Sequence, residues 1–459
     1  MWAALPFLTC VLPLNQRAAT YDRPELSGPE EVMATADGQF LLHYTMEGDD
    51  AVQGNLGNDG VPELVHWAIE GLEIGSDRFQ ERGYRPLIGD EGGGGTDALD
   101  IYMMDIDANG YAYPLDVGAS QGNSCYMRLD NGLTIDGVMQ SVTIHELHHC
   151  VQYRYTARSH SWIYEATATF EQYRAFLDDN LAAAVIVLYS RRLSEPKQPM
   201  DHVDGQFEYA GMLVMQFWEQ FGGLDPLRIP RLWEALEAEP DWVATFATEA
   251  ARNWDVSWGE AFLELATWNA FACANNDGSS YDETELPCNE FVVAPINARK
   301  WDNGVALARL KLPDPPFSAD YFEIEDEEPS LDVLVECESP RTKRAEMGLR
   351  LIAVDADGII VTSVQEFADD EPLSLRLSEP RDPGGVLRLI GVSLGDAPLN
   401  VQCAVTQSEP SRAGDPGGCG CSSRPLAPSW LFLAGLFALT RRVRADPPDN
   451  SNSSRSLPR

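Results

Sequence analysis

At 459 residues with 44% hydrophobic content, the chain is longer than one ordinary hydrophobic core needs and too apolar to be disordered, so more than one folded domain is expected. Lys and Arg number 33 against 72 Asp and Glu, a formal net charge of -39. That balance excludes nucleic acid as a partner and excludes polybasic attachment to anionic lipid.

Residues 1–19 read as a signal peptide: Met1 to Leu14 are almost wholly apolar and lead into Asn15-Gln16-Arg17 and the small pair Ala18-Ala19. The nine cysteines fit export. Cys10 would leave with the signal, and Cys419 and Cys421 belong to a tail motif. Cys125, Cys150, Cys273, Cys288, Cys337 and Cys403 remain, an even set for an oxidising compartment. The favoured pairings are Cys273 with Cys288 and Cys337 with Cys403, leaving Cys125 for Cys150, although spacing alone does not choose among connectivities.

Phe40 to Tyr44 is the first clear extended run, and Gly57-Asn58-Asp59-Gly60 is a loop. A helix follows from Pro62, with Val65, Ile69, Leu72 and Phe79 at helical spacing. The glycine run Gly92 to Gly95 breaks the chain before a strand at Ala98 to Met104. Asp136 to about Tyr155 carries a helical stripe, and a second helix is expected from Ser161, capped by its own hydroxyl, to about Leu177. Further helices at 209–221, 228–238, 240–252 and 257–272 make a helical lobe.

From residue 305 the texture changes to eight short runs: Val305–Leu312, Tyr321–Ile324, Leu331–Val335, Leu349–Val354, Ile359–Val364, Leu373–Leu377, Val386–Val392 and Leu399–Val405. Their turn-bounded spacing predicts an all-β sandwich over 305–407. Residues 408–424 form a linker containing Cys419-Gly420-Cys421, and 425–444 a short hydrophobic segment ending in Arg441, Arg442 and Arg444. A membrane-spanning helix needs about 20 apolar residues, so this run is a marginal span or a signal that is read and removed. Residues 445–459 read as a disordered tail.

The chemistry concentrates in His145-Glu146-Leu147-His148-His149. Two histidines four apart share one helix face and can converge on one zinc ion. Glu146, off that face, suits the general base that takes a proton from metal-bound water. His148 should point away. A third histidine ligand in the extended motif would require glycine and histidine where Gln152 and Tyr155 stand, so that class is excluded. Glu165, early in the next helix within Trp162 to Thr169 and flanked by small residues, is the candidate third ligand. Glu171 is the reserve, although a solvated helix face describes it more simply. Tyr209 is the candidate oxyanion donor, with His160 and His202 as rivals. Asp105, Asp107, Asn109 and Asp116 follow part of a calcium-loop pattern, which suggests Ca2+ as a second ion.

His145-Glu146-x-x-His149 followed by Glu165 resembles the gluzincin metallopeptidases, the thermolysin-like superfamily with a glutamate third ligand. More narrowly, Phe40 to Tyr44, Gly48 to Val52, Asp97 to Tyr102, His145 to Tyr153, Trp162 to Thr169 and Trp258 to Asn269 resemble bacterial secreted metalloproteases, over roughly residues 35 to 290. The resemblance implies an α+β zincin-like peptidase domain over 20–304, zinc on His145, His149 and Glu165, and Glu146 as base. The gap from His149 to Glu165 is shorter than in thermolysin-type enzymes, and Thr169 stands where they carry a histidine-orienting aspartate. Cys419-Gly420-Cys421, the apolar run and the arginines resemble the surface-sorting tail of myxobacterial proteins, which implies membrane or surface attachment through the C-terminal segment. The function expected is a secreted or surface-attached zinc endopeptidase acting on protein or peptide substrates, general or restricted to its own processing. The other reading is a non-catalytic adhesin with a structural or decayed zinc site.

Overall fold

The computed structural model describes residues 23–90, 92–116, 122–176, 191–272, 280–281, 295–312, 316–326, 329–338, 346–369, 372–379, 381 and 383–408. The expected signal peptide, the Cys273–Cys288 bridge and the whole C-terminal tail lie outside them. The described residues have α+β content, with helices and three sheets.

The first sheet has the order β1-β2-β3-β5-β4. At its centre β2 (Phe40–Thr45), β3 (Leu99–Met104) and β5 (Cys125–Asp130) run parallel, and β1 (Glu30–Ala34) and β4 (Gly110–Pro114) flank them antiparallel. Because alternate side chains face opposite ways, Phe40, Leu42, Leu99, Ile101, Met127 and Leu129 turn into the main core. Two helices cover that face: α1 (Glu63–Glu81) and α2 (Asp136–Tyr153). They approach closely because α1 carries Gly71, where a Cβ would stand 2.9 Å from the Gln140 carbonyl oxygen.

The chain turns back after α2 into α3 (Ser161–Ala175). The cap of α3 is the His160 ring, which accepts from the Trp162 N–H at 3.4 Å, so the hydroxyl of Ser161 does not have the capping role expected of it. A 3-10 turn at Tyr209–Gly211 leads into α4 (Met212–Gln220), followed by α5 (Arg228–Ala238), α6 (Trp242–Trp254) and α7 (Trp258–Ala270). Asp241 caps α6, and a Ser257–Glu260 capping box opens α7.

The later strands are β6 (Asn297–Arg299), β7 (Val305–Leu312), β8 (Ser318–Glu325), β9 (Asp332–Cys337), β10 (Glu346–Val354), β11 (Ile360–Asp369), β12 (Leu373–Leu377), β13 (Val386–Ser393) and β14 (Leu399–Ser408). They form two sheets, β11-β10-β13-β8-β6 and β12-β9-β14-β7, antiparallel throughout except where β6 joins β8. β6 precedes the expected boundary at 305 yet belongs to this region. Leu310, Val335, Leu349, Leu389 and Val401, from both sheets, share one apolar core. The opposite face of the first of these sheets is covered at its centre by the helical lobe. Tyr321, Ile352 and Ile390 join the core of the helical lobe, Phe317 packs against Trp242 and Trp258, and Arg350 reaches Glu264 of α7 at 2.6 Å.

Disulfides join Cys125 to Cys150 and Cys337 to Cys403, both pairings favoured from the sequence. Bridges of this kind form and persist in oxidising, extracytoplasmic environments. Among the described residues no helix is long and apolar enough to cross a membrane.

Candidate metal centre

Polar contacts join early α2 to late α3, Ser141 to Gln172, and late α2 to early α3, Gln152 to Tyr164. The two helices are therefore an antiparallel hairpin, closed by residues 154–160. This geometry answers the short gap after His149: a tight helical hairpin sets Glu165, one turn into α3, directly against the ligand face of α2.

His145, His149 and Glu165 are the one group of three His, Cys, Asp or Glu among the described residues with ligand atoms within 4.8 Å of one another. His145 Nε2 lies 3.1 Å and His149 Nε2 3.6 Å from the same oxygen, Glu165 Oε2. In a tetrahedral zinc site with bonds near 2.0–2.1 Å, neighbouring donor atoms stand about 3.3 Å apart. All three side chains are buried, and among the described residues His149 Nε2 has no hydrogen-bond partner nearer than the Glu165 oxygen at 3.6 Å. A buried nitrogen without a partner costs stability unless something fills its lone-pair direction. The donor set, the spacing and the orphaned nitrogen all fit zinc.

The same packing shifts the ligands' protonation in metal-free protein. Burial pushes the Glu165 carboxyl up, but the imidazoles of His149 and His145 outweigh it and hold the group down at about 2. Burial likewise pulls His149 down, and the Glu165 carboxylate overrides it to raise His149 to about 9. The sign follows from the ordinary values of 4.5 and 6.5. The Glu165 contribution to stability is full above 4.5 and lost as pH falls through about 2; that of His149 is full below 6.5 and lost as pH rises through about 9. In chelated protein, the melting-temperature advantage of wild type over Glu165→Gln should be largest between pH 4.5 and 6.5 and shrink toward pH 9. An advantage that grows with pH over that range would contradict the pairing.

Glu146 is buried and points from α2 toward the edge strand β4. A Cβ on Gly110 would stand 2.6 Å from Glu146 Cγ and 2.9 Å from Oε1, so glycine there makes room for the carboxyl. Gly110→Ala should displace Glu146 while leaving the three metal ligands in place. A misplacement of about 1 Å can cost roughly 100-fold, so the hydrolysis expected of a Glu146 base should fall by about that factor with no change in bound zinc. Steady-state kinetics with metal analysis would check it. Tyr209 is buried with its ring tilted over that of His145, centroids 5.9 Å apart, so its position in the 3-10 turn puts a phenol beside the ligands.

No protein family model matches the sequence, and no curated protein matches it. Solved structures similar to parts of the chain include tripeptidyl peptidase 2, at 8% identity over 26% of this chain and 11% of that one, TM-score 0.21. Others are the surface-associated copper-binding protein CorA of Methylomicrobium album BG8 and the periplasmic lysozyme inhibitor PliG of Aeromonas hydrophila. Each is 9% identical; they cover 25% of this chain and 98% and 97% of their own, with TM-scores of 0.17 and 0.16. This chain spans about a tenth of the length of tripeptidyl peptidase 2.

The other sequence candidates lie elsewhere. Glu171 is neither a ligand nor on a solvated face. It is buried, with Arg82 Nε at 2.8 Å and the Tyr84 hydroxyl donating at 2.7 Å. His148 points away from the ligands, as its offset on the helix requires, and packs edge-on against Phe79 and Tyr84. His160 is spent on the α3 cap, and His202 packs on Phe207 near Asp204. Asp105, Asp107 and Asp116 do not form a close group of ligand atoms among the described residues. The residues that would complete a curled calcium loop form β4 instead, which alone spans about 13 Å at strand rise, so Asp116 lies beyond its far end. Asp107 accepts from the Tyr111 hydroxyl at 2.8 Å, and the carbonyl of Asn109 accepts from the Asp130 N–H of the neighbouring strand at 3.0 Å.

Gln152 and Gln172, which touch the two candidate ligand histidines, and Gly110 are not among the residues expected from the sequence. Gln152 was visible only as a residue that is not glycine. Its position three after His149 was the available signal, since residues three apart on a helix are neighbours.

Proposed function

We propose that the chain is a secreted or surface-attached zinc endopeptidase, with a zincin-like catalytic domain and a C-terminal β-sandwich. The observation that carries this reading is the convergence of His145, His149 and Glu165 at zinc-ligand spacing with Glu146 buried beside them. A purely structural site has no use for a carboxylate next to the ligands. Zinc, when bound, supplies Lewis-acid polarisation of the scissile carbonyl and of the attacking water.

The rest of the chemistry belongs to side chains and backbone of this chain. Glu146 takes the proton from the attacking water and passes it to the departing amine. The Tyr209 hydroxyl donates toward the carbonyl oxygen as charge builds there. β4 is an edge strand of its sheet and packs over α2, so an extended peptide can add to it as a further strand with its scissile bond near Glu146. The β-sandwich packs on the helical lobe and would hold a larger substrate or a surface component.

The reading is tested by incubating purified, zinc-loaded protein with a peptide library and with casein, and by mass spectrometry of its own chain. Cleavage that a chelator abolishes and zinc restores supports it. No cleavage of any of the three, in protein shown to hold zinc, would overturn it.

A further inference from the structure

Each ligand histidine has its remote ring nitrogen engaged by a glutamine amide. His149 Nδ1 lies 2.7 Å from Gln152 Oε1, and His145 Nδ1 lies 3.1 Å from Gln172 Oε1. An amide oxygen can only accept, so both Nδ1 atoms carry the hydrogen and both Nε2 atoms are left to face Glu165.

The direction of Gln152 follows from its other neighbours. Its nitrogen lies 2.8 Å from the Tyr164 carbonyl oxygen and 2.7 Å from Thr167 Oγ1, whose own hydrogen goes to the Ile163 carbonyl at 2.8 Å. His148 Nδ1 is a third neighbour of that nitrogen, at 2.9 Å. The carbonyl can only accept, and the threonine hydroxyl is committed as an acceptor, so turning the amide over would set oxygen against oxygen. Gln172 is held less strictly: its nitrogen donates to Ser141 Oγ at 2.7 Å, and a hydroxyl can reverse its role.

We infer that Gln152 and Gln172 are positioning residues that fix His149 and His145 as Nδ1–H tautomers and present both Nε2 atoms to zinc. The inference rests on reading the site as a zinc centre. The two amides are also cross-braces. Gln152 ties His149 and His148 to the backbone of the residue before Glu165, and Gln172 ties α3 back to His145 and Ser141. Neither amide adds charge, so Glu165 is the one ionic ligand of the three.

The test is the zinc dissociation constant, measured by competition with a chelating dye, for wild type, His145→Ala, Gln152→Met, Gln152→Glu, Gln172→Met and Gln172→Glu. Losing the partner of a ligand histidine costs about 10–100-fold in metal affinity, the loss expected of both methionine variants. Gln172→Glu should recover wild-type affinity or better, because a carboxylate still accepts from His145 and the Ser141 hydroxyl turns to donate. Gln152→Glu should not recover, because its second oxygen would face the Tyr164 carbonyl and Thr167 Oγ1. Wild-type affinity in Gln172→Met, or equal loss in Gln172→Met and Gln172→Glu, overturns the inference while the zinc reading stands on wild type against His145→Ala. A wild type that binds no zinc overturns both. If the methionine variants fail to fold, the imidazole proton spectrum of 15N-histidine-labelled, zinc-loaded wild type decides. Nδ1–H resonances from both ligand histidines are expected, and zinc bound through Nδ1 overturns the inference.

Discussion

Replacing Glu146 by Gln should lower peptide hydrolysis by about 100- to 10,000-fold, the range a positioned general base supplies. The protein should still bind one zinc per chain. The substitution keeps the shape that fits against Gly110 and leaves His145, His149 and Glu165 untouched. It removes only the capacity to take up a proton, so kcat should collapse with little change in KM. Kinetics and atomic-emission analysis of one preparation separate the possibilities. Unchanged kcat would exclude Glu146 as base, and lost activity with lost zinc would make it a structural support of the site.

The largest effect on stability is expected at Arg82, which follows α1. Its guanidinium lies 2.8 Å from Glu171 of α3 and 2.5 Å from Glu219 of α4, and all three side chains are buried. Burial pushes the Glu171 carboxyl up, and Arg82 pulls against that shift. Arg82→Met would leave two carboxylates buried without the guanidinium that bonds to both; Arg174, 3.6 Å from Glu219, and Arg78, whose charge acts on Glu171, remain. Breaking a buried pair from one side costs about 3–5 kcal/mol, whereas replacing all its charges together is often neutral. Urea unfolding of chelated protein should therefore show a loss of about 3–5 kcal/mol for Arg82→Met and recovery of most of it in Arg82→Met/Glu171→Gln/Glu219→Gln. A single variant within about 1 kcal/mol of wild type would show that the network is not buried as described.

Much of the architecture could be read from local pattern. The spacing of Val65, Ile69, Leu72 and Phe79 marks α1, and β7 and β12 begin and end where their alternation does. His145 and His149 were legible because both lie within one helical turn. Glu165 was legible as a candidate but not as a neighbour, since its approach depends on the sharp reversal at residues 154–160. The strand β4 was hidden inside the calcium-loop pattern of Asp105 to Asp116, and it ends in Pro114, which an edge position accommodates although it cannot donate. Glu171 was misread for a related reason. Nothing in its own helix announces that Arg82, 89 residues earlier, arrives beside it. Gln152 and Gln172 are uncharged and belong to no ligand motif, and only the packing of α2 against α3 gives them a role.

The most direct test of the zinc centre is a crystal of zinc-loaded protein measured on both sides of the zinc absorption edge. The account requires one anomalous peak about 2.0–2.2 Å from His145 Nε2, His149 Nε2 and a carboxylate oxygen of Glu165. A peak bound through other residues, or none between these three in protein that carries stoichiometric zinc, would contradict it.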